Sequence, residues 1–162
     1  MRGQKSTRRV LPDNPAKADS SALTSPLSPR TSIEVAAGLV FRDGKLLIAQ
    51  RHAKDHLGGL WEFPGGKRQP NESFADCLVR ELREELGIEI EVGDVIESLM
   101  HEYPEKTVHL EYFLCRWKRH EPQALDCSAF KWVLADELAL HELPAADARL
   151  LKRLQASPDL WR

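Results

Sequence analysis

In the middle of the chain, apolar residues recur at helical spacing. At about 100° per residue, Ala75, Leu78, Val79, Leu82 and Leu86 fall within one arc of roughly 100°, wide enough to pack on a core. Ser73, with Asp76 three residues on, reads as a capping box at the start of this helix, and Gly87 as the residue that stops it. Upstream, two nearly continuous apolar runs, residues 33–41 and 45–51, predict strands buried on both faces. Arg42-Asp43-Gly44 between them is a hairpin signal. Downstream, residues 88–92, 95–103 and 107–117 carry β-branched or aromatic side chains in partial alternation and predict three more strands. Residues 130–134 predict another. Residues 135–138 and 145–154 predict helices, the second with Leu150, Leu151 and Leu154 on one face. The order β-β-α-β-β-β-β-α describes an α/β fold, a mixed sheet with helices on its faces.

The polar face of the central helix changes the picture. Glu81, Glu84 and Glu85 cluster in an arc beside the apolar one, while Arg83 and Asp76 point elsewhere. Like charges this close raise each other's pKa and weaken a helix. Convergent carboxylates of this kind are what hard cations such as Mg²⁺ use. Taken alone, the triplet reads more readily as a solvated acidic face.

The flanking residues decide between the two. Gly66, Glu72, Arg80, Glu81, Leu82, Glu84, Glu85, Gly87 and Ile88 match the pattern G-x5-E-x7-R-E-U-x-E-E-x-G-U, with U aliphatic. From residue frequencies, a chance match is on the order of 10⁻⁸. The stretch resembles the Nudix box, and the preceding Trp61-Glu62-Phe63-Pro64-Gly65 is similar to the MutT-type branch, the nucleoside triphosphate pyrophosphohydrolases. The looser resemblance runs from about Val35 to Leu154.

The resemblance implies a Nudix α/β/α sandwich with a mixed β-sheet. It implies Glu81, Glu84 and Glu85 as metal ligands, with the Gly65 carbonyl completing a site for Mg²⁺ or, alternatively, Mn²⁺. Glu72 is expected to ligate through water or to hold the loop, and Arg80 to orient a glutamate by a forked hydrogen bond. A general base is also required, and Glu85 or Glu84 can serve. So can Asp126, six residues before Trp132, where the branch more often has glutamate. Near the nucleotide the resemblance places Arg51 and Lys106 for phosphate, with His56, and Phe63 for the base. Leu143-Pro144-Ala145-Ala146-Asp147 is similar to a P-A-D loop of cytidine-triphosphate-preferring members. The 8-oxoguanine-specific prototype has Asn at about Ala146; alanine lacks that donor and acceptor pair. Asp147 is then the expected base reader.

Composition adds limits. Residues 1–31 hold four prolines, five serines and no aromatic residue, with six Lys/Arg against two Asp. They read as a disordered basic tail, net +4, preceding a Nudix hydrolase domain over residues 32–162 with 17 basic against 23 acidic residues, net −6. Contact of the tail with nucleic acid, or a transit peptide, are its alternative readings. No apolar stretch has the length of a membrane span, and a cytoplasmic location is expected. The three cysteines show no C-x-x-C spacing, and Cys77 reads as a small buried filler. His52 and His56 are the nearest approach to a histidine metal pair.

The expected activity is metal-dependent hydrolysis of normal or modified nucleoside triphosphates to monophosphate and pyrophosphate. Such an enzyme would act in nucleotide-pool sanitation, on 8-oxo-dGTP or (d)CTP-like substrates, as a monomer or homodimer. Hydrolysis of another nucleoside diphosphate derivative such as ADP-ribose, or a catalytically silent Nudix binding module, are the alternatives.

Overall fold

The computed structural model describes residues 30–162. Strand β1 (Thr31–Arg42) turns into β2 (Lys45–Gln50) through Asp43 and Gly44, whose φ angles of 49° and 74° are both left-handed. That pair of positive φ values matches the twist of the flanking strands and is why an Asp-Gly hairpin forms here. The tail expected over residues 1–31 lies outside the described residues except for Arg30 and Thr31. Thr31 opens β1 opposite Lys106.

Two short strands follow, β3 (Trp61–Glu62) and β4 (Gly65–Lys67), then helix α1 (Phe74–Leu86) and strands β5 (Glu89–Glu102), β6 (Lys106–Arg119) and β7 (Ala129–Val133). Helices α2 (Ala135–Leu138) and α3 (Ala145–Gln155) and a 3₁₀ turn, Pro158–Trp161, complete the chain. The sheet order is β3-β2-β1-β6-β5, with β4 on β1 and β7 on β2. β1 and β6 run parallel and the other pairs antiparallel, so the sheet is mixed as expected.

Two expectations need correction. The strands predicted over residues 88–92 and 95–103 are one strand, β5, whose register on β6 shifts between Val92 and Val95 and again between Val95 and Glu97. Gly93 looks like a turn signal but marks a bulge: a Cβ there would lie 2.9 Å from the Leu114 carbonyl, so glycine lets the bulged backbone lie against β6. The predicted order also lacked β3 and β4, which at two and three residues are too short to show any period.

The sheet is buried on both sides. Ala36, Val40, Leu47, Ala49, Phe113 and Cys115 face α1, whereas Ala37, Leu39, Leu46, Ile48 and Tyr112 face α2 and α3. Alternate residues of each strand thus serve opposite core layers, which is why the apolar runs are unbroken. From α1, Leu78, Leu82 and Leu86 are buried with Cys77, and Ala75 and Val79 are half-buried. From α3, Leu150 and Leu154 are buried, with Leu151 packed beside them. At the start of α1 the Ser73 hydroxyl oxygen accepts the Asp76 N–H at 3.0 Å. The Asp76 carboxylate takes the Ser73 hydroxyl at 2.7 Å rather than the backbone N–H of a full capping box, its side chain being a methylene shorter than glutamate. Gly87, at φ 69°, ends the helix.

Candidate active site

A helix ends with unpaired carbonyls, and at α1 the segment before β7 satisfies them. Gln123 N–H donates to the Leu86 carbonyl at 2.9 Å, and the Leu125 and Asp126 N–H groups both donate to the Glu85 carbonyl, at 3.0 and 3.1 Å. This docking brings Asp126 beside the last turn of the glutamate helix. Glu62 arrives from β3. Glu85 is thereby placed in a half-buried position with Glu62, Glu81 and Asp126 around it, and its pKa rises to about 8. Burial is the largest cause, and the three neighbouring negative charges add to it; a Gly65 N–H bond pulls the other way. No side-chain cation pairs with Glu85 among the described residues.

The two glycines ahead of the helix are required for different reasons. A Cβ on Gly65 would run into the Ala36 carbonyl oxygen of the neighbouring strand. A Cβ on Gly66 would overlap the Glu81 carboxylate. The β4–β1 pairing therefore clears room for Glu81 under the glycine turn.

Arg80 gathers more than the single glutamate expected. Its guanidinium forks onto both Glu72 oxygens (Nε at 3.1 Å, Nη2 at 2.7 Å), and its Nη1 reaches Glu81 at 2.7 Å and Glu84 at 3.2 Å. Nη2 also donates to the Lys67 carbonyl at 3.1 Å. Glu72 falls to about 2, chiefly through the Arg80 hydrogen bonds and then through the Gln69 N–H that it also accepts, at 2.7 Å. Its place is that of a loop tie.

A cleft of about 340 Å³ opens over this cluster. Its ionisable lining is Glu85, Asp126, Glu62, Asp55, Arg51, His52, Lys67 and Asp147; Phe63, Leu110 and Ala146 are among its other walls. Arg51 Nη1 lies 2.5 Å from Glu62, and its Nε donates to the His56 carbonyl at 2.8 Å. Glu62 is raised above the usual carboxylate range by burial, with Arg51 opposing. Asp147 is 6% exposed and accepts the Tyr112 hydroxyl at 2.7 Å and the Phe63 N–H at 3.3 Å. Burial pushes it to about 7 despite those two bonds.

Of the residues expected at the site, Gly65, Glu85, Asp126, Arg51, Phe63 and Asp147 line the cleft. Glu81 and Glu84 sit beside it on Arg80. His56 contributes only a carbonyl, with its side chain exposed. Lys106 lies away from the cleft: it opens β6 opposite Thr31, four residues and roughly 13 Å along the strand from Leu110. Its ammonium group rests over the Tyr103 ring at 5.3 Å. Glu62, His52, Asp55 and Lys67 were not among the expected site residues, His52 having been read only as half of a histidine pair. Glu62 stands within the Trp61–Gly65 stretch and Lys67 directly follows Gly66, and those positions were their only signals.

Residues 36–153 match the family profile described as NUDIX domain. The chain belongs to the NUDIX domain family. This Nudix hydrolase is 43% identical over 124 residues to the CTP pyrophosphohydrolase of Escherichia coli (strain K12), covering 76% of this chain and 92% of that protein. It is 38% identical over 91 residues to an 8-oxo-dGTP diphosphatase of Proteus vulgaris, covering 55% of this chain and 81% of the relative. Among solved structures, the MutT protein from Methanosarcina mazei Go1 superposes with a TM-score of 0.70 at 25% identity, covering 80% of this chain and 97% of that one.

Enzymes of this family generally require a divalent cation. Among the described residues no three His, Cys, Asp or Glu groups are gathered at coordination spacing, and Glu72, Glu81 and Glu84 all pair with Arg80. The donor set nevertheless fits a hard cation. Glu85 is a half-buried carboxylate with three others around it, all its donors are oxygen, and a cation would offset both the burial of its charge and the repulsion that adds to it.

Proposed function

We propose that this Nudix hydrolase cleaves nucleoside triphosphates, modified ones included, to a nucleoside monophosphate and pyrophosphate in nucleotide-pool sanitation, with Mg²⁺ or alternatively Mn²⁺. The observation that carries this reading is one cleft lined by both the Glu85 carboxylate cluster and the buried Asp147 carboxyl. One set suits a polyphosphate with its cation, the other a polar base.

Glu81, Glu84, Glu85 and the Gly65 carbonyl would hold the cation, which supplies phosphoryl polarisation, charge neutralisation and a more acidic bound water. Arg80 keeps Glu81 and Glu84 oriented. Arg51 and Lys67 meet the phosphates, whose charge must be matched as the linkage breaks. Asp126, with its side chain open to the cleft, takes the proton of the attacking water. Glu84 is tied to Arg80 outside the cleft lining and is the poorer base.

For the base, Ala146 offers no amide, and the Asp147 oxygens keep lone pairs beyond those taken by Tyr112 and Phe63. They suit an exocyclic amine or ring N–H, as on cytosine or 8-oxoguanine. The relatives named for CTP and 8-oxo-dGTP support the same two choices. We place the enzyme in the cytoplasm, as a monomer or homodimer acting on small nucleotides rather than nucleic acid; among the described residues no helix is long and apolar enough to cross a membrane.

A panel of dCTP, 8-oxo-dGTP and dTTP with added Mg²⁺, scored for pyrophosphate release, beside ADP-ribose, scored for AMP, tests this. The expected result is fastest release from dCTP or 8-oxo-dGTP and at least about tenfold slower release from dTTP. Pyrophosphate release at full rate without a divalent cation, or from no triphosphate at all, contradicts the proposal.

A further inference from the structure

His52 leaves the end of β2 at the cleft wall, and its ring touches two residues of the segment that leads into β7. Nε2 lies 3.3 Å from Asp126 Oδ1, and Nδ1 lies 3.4 Å from the Ser128 hydroxyl. Ser128 is itself fixed, its N–H donating to the Gln50 carbonyl at 2.9 Å where β7 joins β2. With the proton on Nε2, the imidazole donates to the Asp126 carboxylate, and Nδ1 faces the Ser128 hydroxyl, whose one proton is shared between His52 and the Arg51 carbonyl at 3.4 Å.

Asp126 needs such a partner. Its backbone is held by the Glu85 carbonyl at 3.1 Å, but its side chain is 77% exposed, and His52 is its one hydrogen-bonding side chain among the described residues. An aspartate reaches one methylene less far than a glutamate and, unheld, rotates freely into solvent. We propose that His52 is a positioning residue that holds the Asp126 carboxylate in the cleft in the orientation needed to take a proton from water. This rests on the reading of Asp126 as the proton acceptor. The energy of an exposed pair is small; what His52 contributes is orientation, and misplacing a reacting group by about 1 Å costs up to about 10²-fold in rate.

The experiment is a double-mutant cycle on the full chain with its preferred triphosphate and Mg²⁺, recording kcat and KM separately. His52→Ala is expected to lower kcat about tenfold with KM within about twofold. His52→Gln, whose amide N–H can reach the position of Nε2, is expected to recover most of that loss. On an Asp126→Asn background, His52→Ala is expected to add nothing, because the group it positions is already disabled. Thermal melting of each variant confirms that the fold is retained.

Independent, multiplicative losses in the cycle would overturn the inference. So would a His52→Gln variant as slow as His52→Ala, or a rise in KM alone, which would make His52 a phosphate contact. Asp126→Asn at near wild-type rate would instead remove the reading of Asp126 on which the inference stands.

Discussion

The Tyr112 hydroxyl donates to Asp147 Oδ1 at 2.7 Å within the layer between the sheet and α3, and the same carboxyl lines the cleft. A core hydrogen bond thus aims the candidate base reader. Asp147→Ala is expected to lower kcat/KM on the preferred nucleotide and to flatten the preference among dCTP, 8-oxo-dGTP and dTTP, leaving the metal requirement unchanged. Tyr112→Phe keeps the packing but frees the carboxyl, and a smaller loss of discrimination is expected. Competition assays between nucleotide pairs measure both. Unaltered preference in the Asp147→Ala variant would move base selection to the surroundings of Phe63 and the His52–Leu60 loop.

The raised Asp147 pKa also has a stability consequence. A carboxyl held at about 7 in the fold, against an ordinary 3.8, binds its proton more tightly when folded. Its stabilising contribution is therefore complete below about pH 4 and is lost as pH rises toward 7. Glu85, raised to about 8, acts in the same direction. The melting temperature of metal-free protein is expected to fall between pH 5 and 8, and Asp147→Asn to make that decline shallower. Calorimetry across the range provides the check.

Glu85→Gln separates folding from turnover. Replacing a desolvated carboxylate among three like charges with a neutral isostere should hold or raise the melting temperature of metal-free protein at pH 8. Turnover should fall by about 10²-fold or more, since a ligand of the cation is lost. A variant that melts lower and works at wild-type rate would refute both halves.

Cation binding should release a proton. At pH 7 the Glu85 carboxyl is largely protonated in metal-free protein, and a divalent ion at this cluster requires it ionised. Titration calorimetry with Mg²⁺ in buffers of different ionisation enthalpy should give close to one proton released, falling to near zero for Glu85→Gln. Equal heats in all buffers would place the cation elsewhere.

The two glycines should fail differently. Gly65→Ala meets rigid backbone at Ala36 and Ala37 and is expected to lower the melting temperature by more than about 5 °C. Gly66→Ala meets the end of the Glu81 side chain, which can swing away. It should melt within about 2–3 °C of wild type yet lose at least about tenfold in kcat, because the displaced carboxylate is a candidate ligand.

Local spacing carried much of this protein in its sequence alone. The 3.6-residue period of α1 put Leu78, Leu82 and Leu86 on the core and the three glutamates on one edge, because a helix's faces depend only on residues a turn apart. Asp43-Gly44 determined the hairpin in the same way. The nine matched positions from Gly66 to Ile88 identified the family, which the comparisons then showed. What lies across the sheet was decided only by tertiary structure. Lys106 missed the cleft because the parallel β1–β6 register places Leu110, not residue 106, beside Val35. Glu62 and His52 entered it because β2 pairs with β3 on one side and β7 on the other. Asp126 reached Glu85 through backbone bonds that close the end of α1. Such contacts join segments tens of residues apart, and no periodicity along the chain encodes which strand edges meet; burial of both sheet faces and satisfaction of the backbone groups select that register.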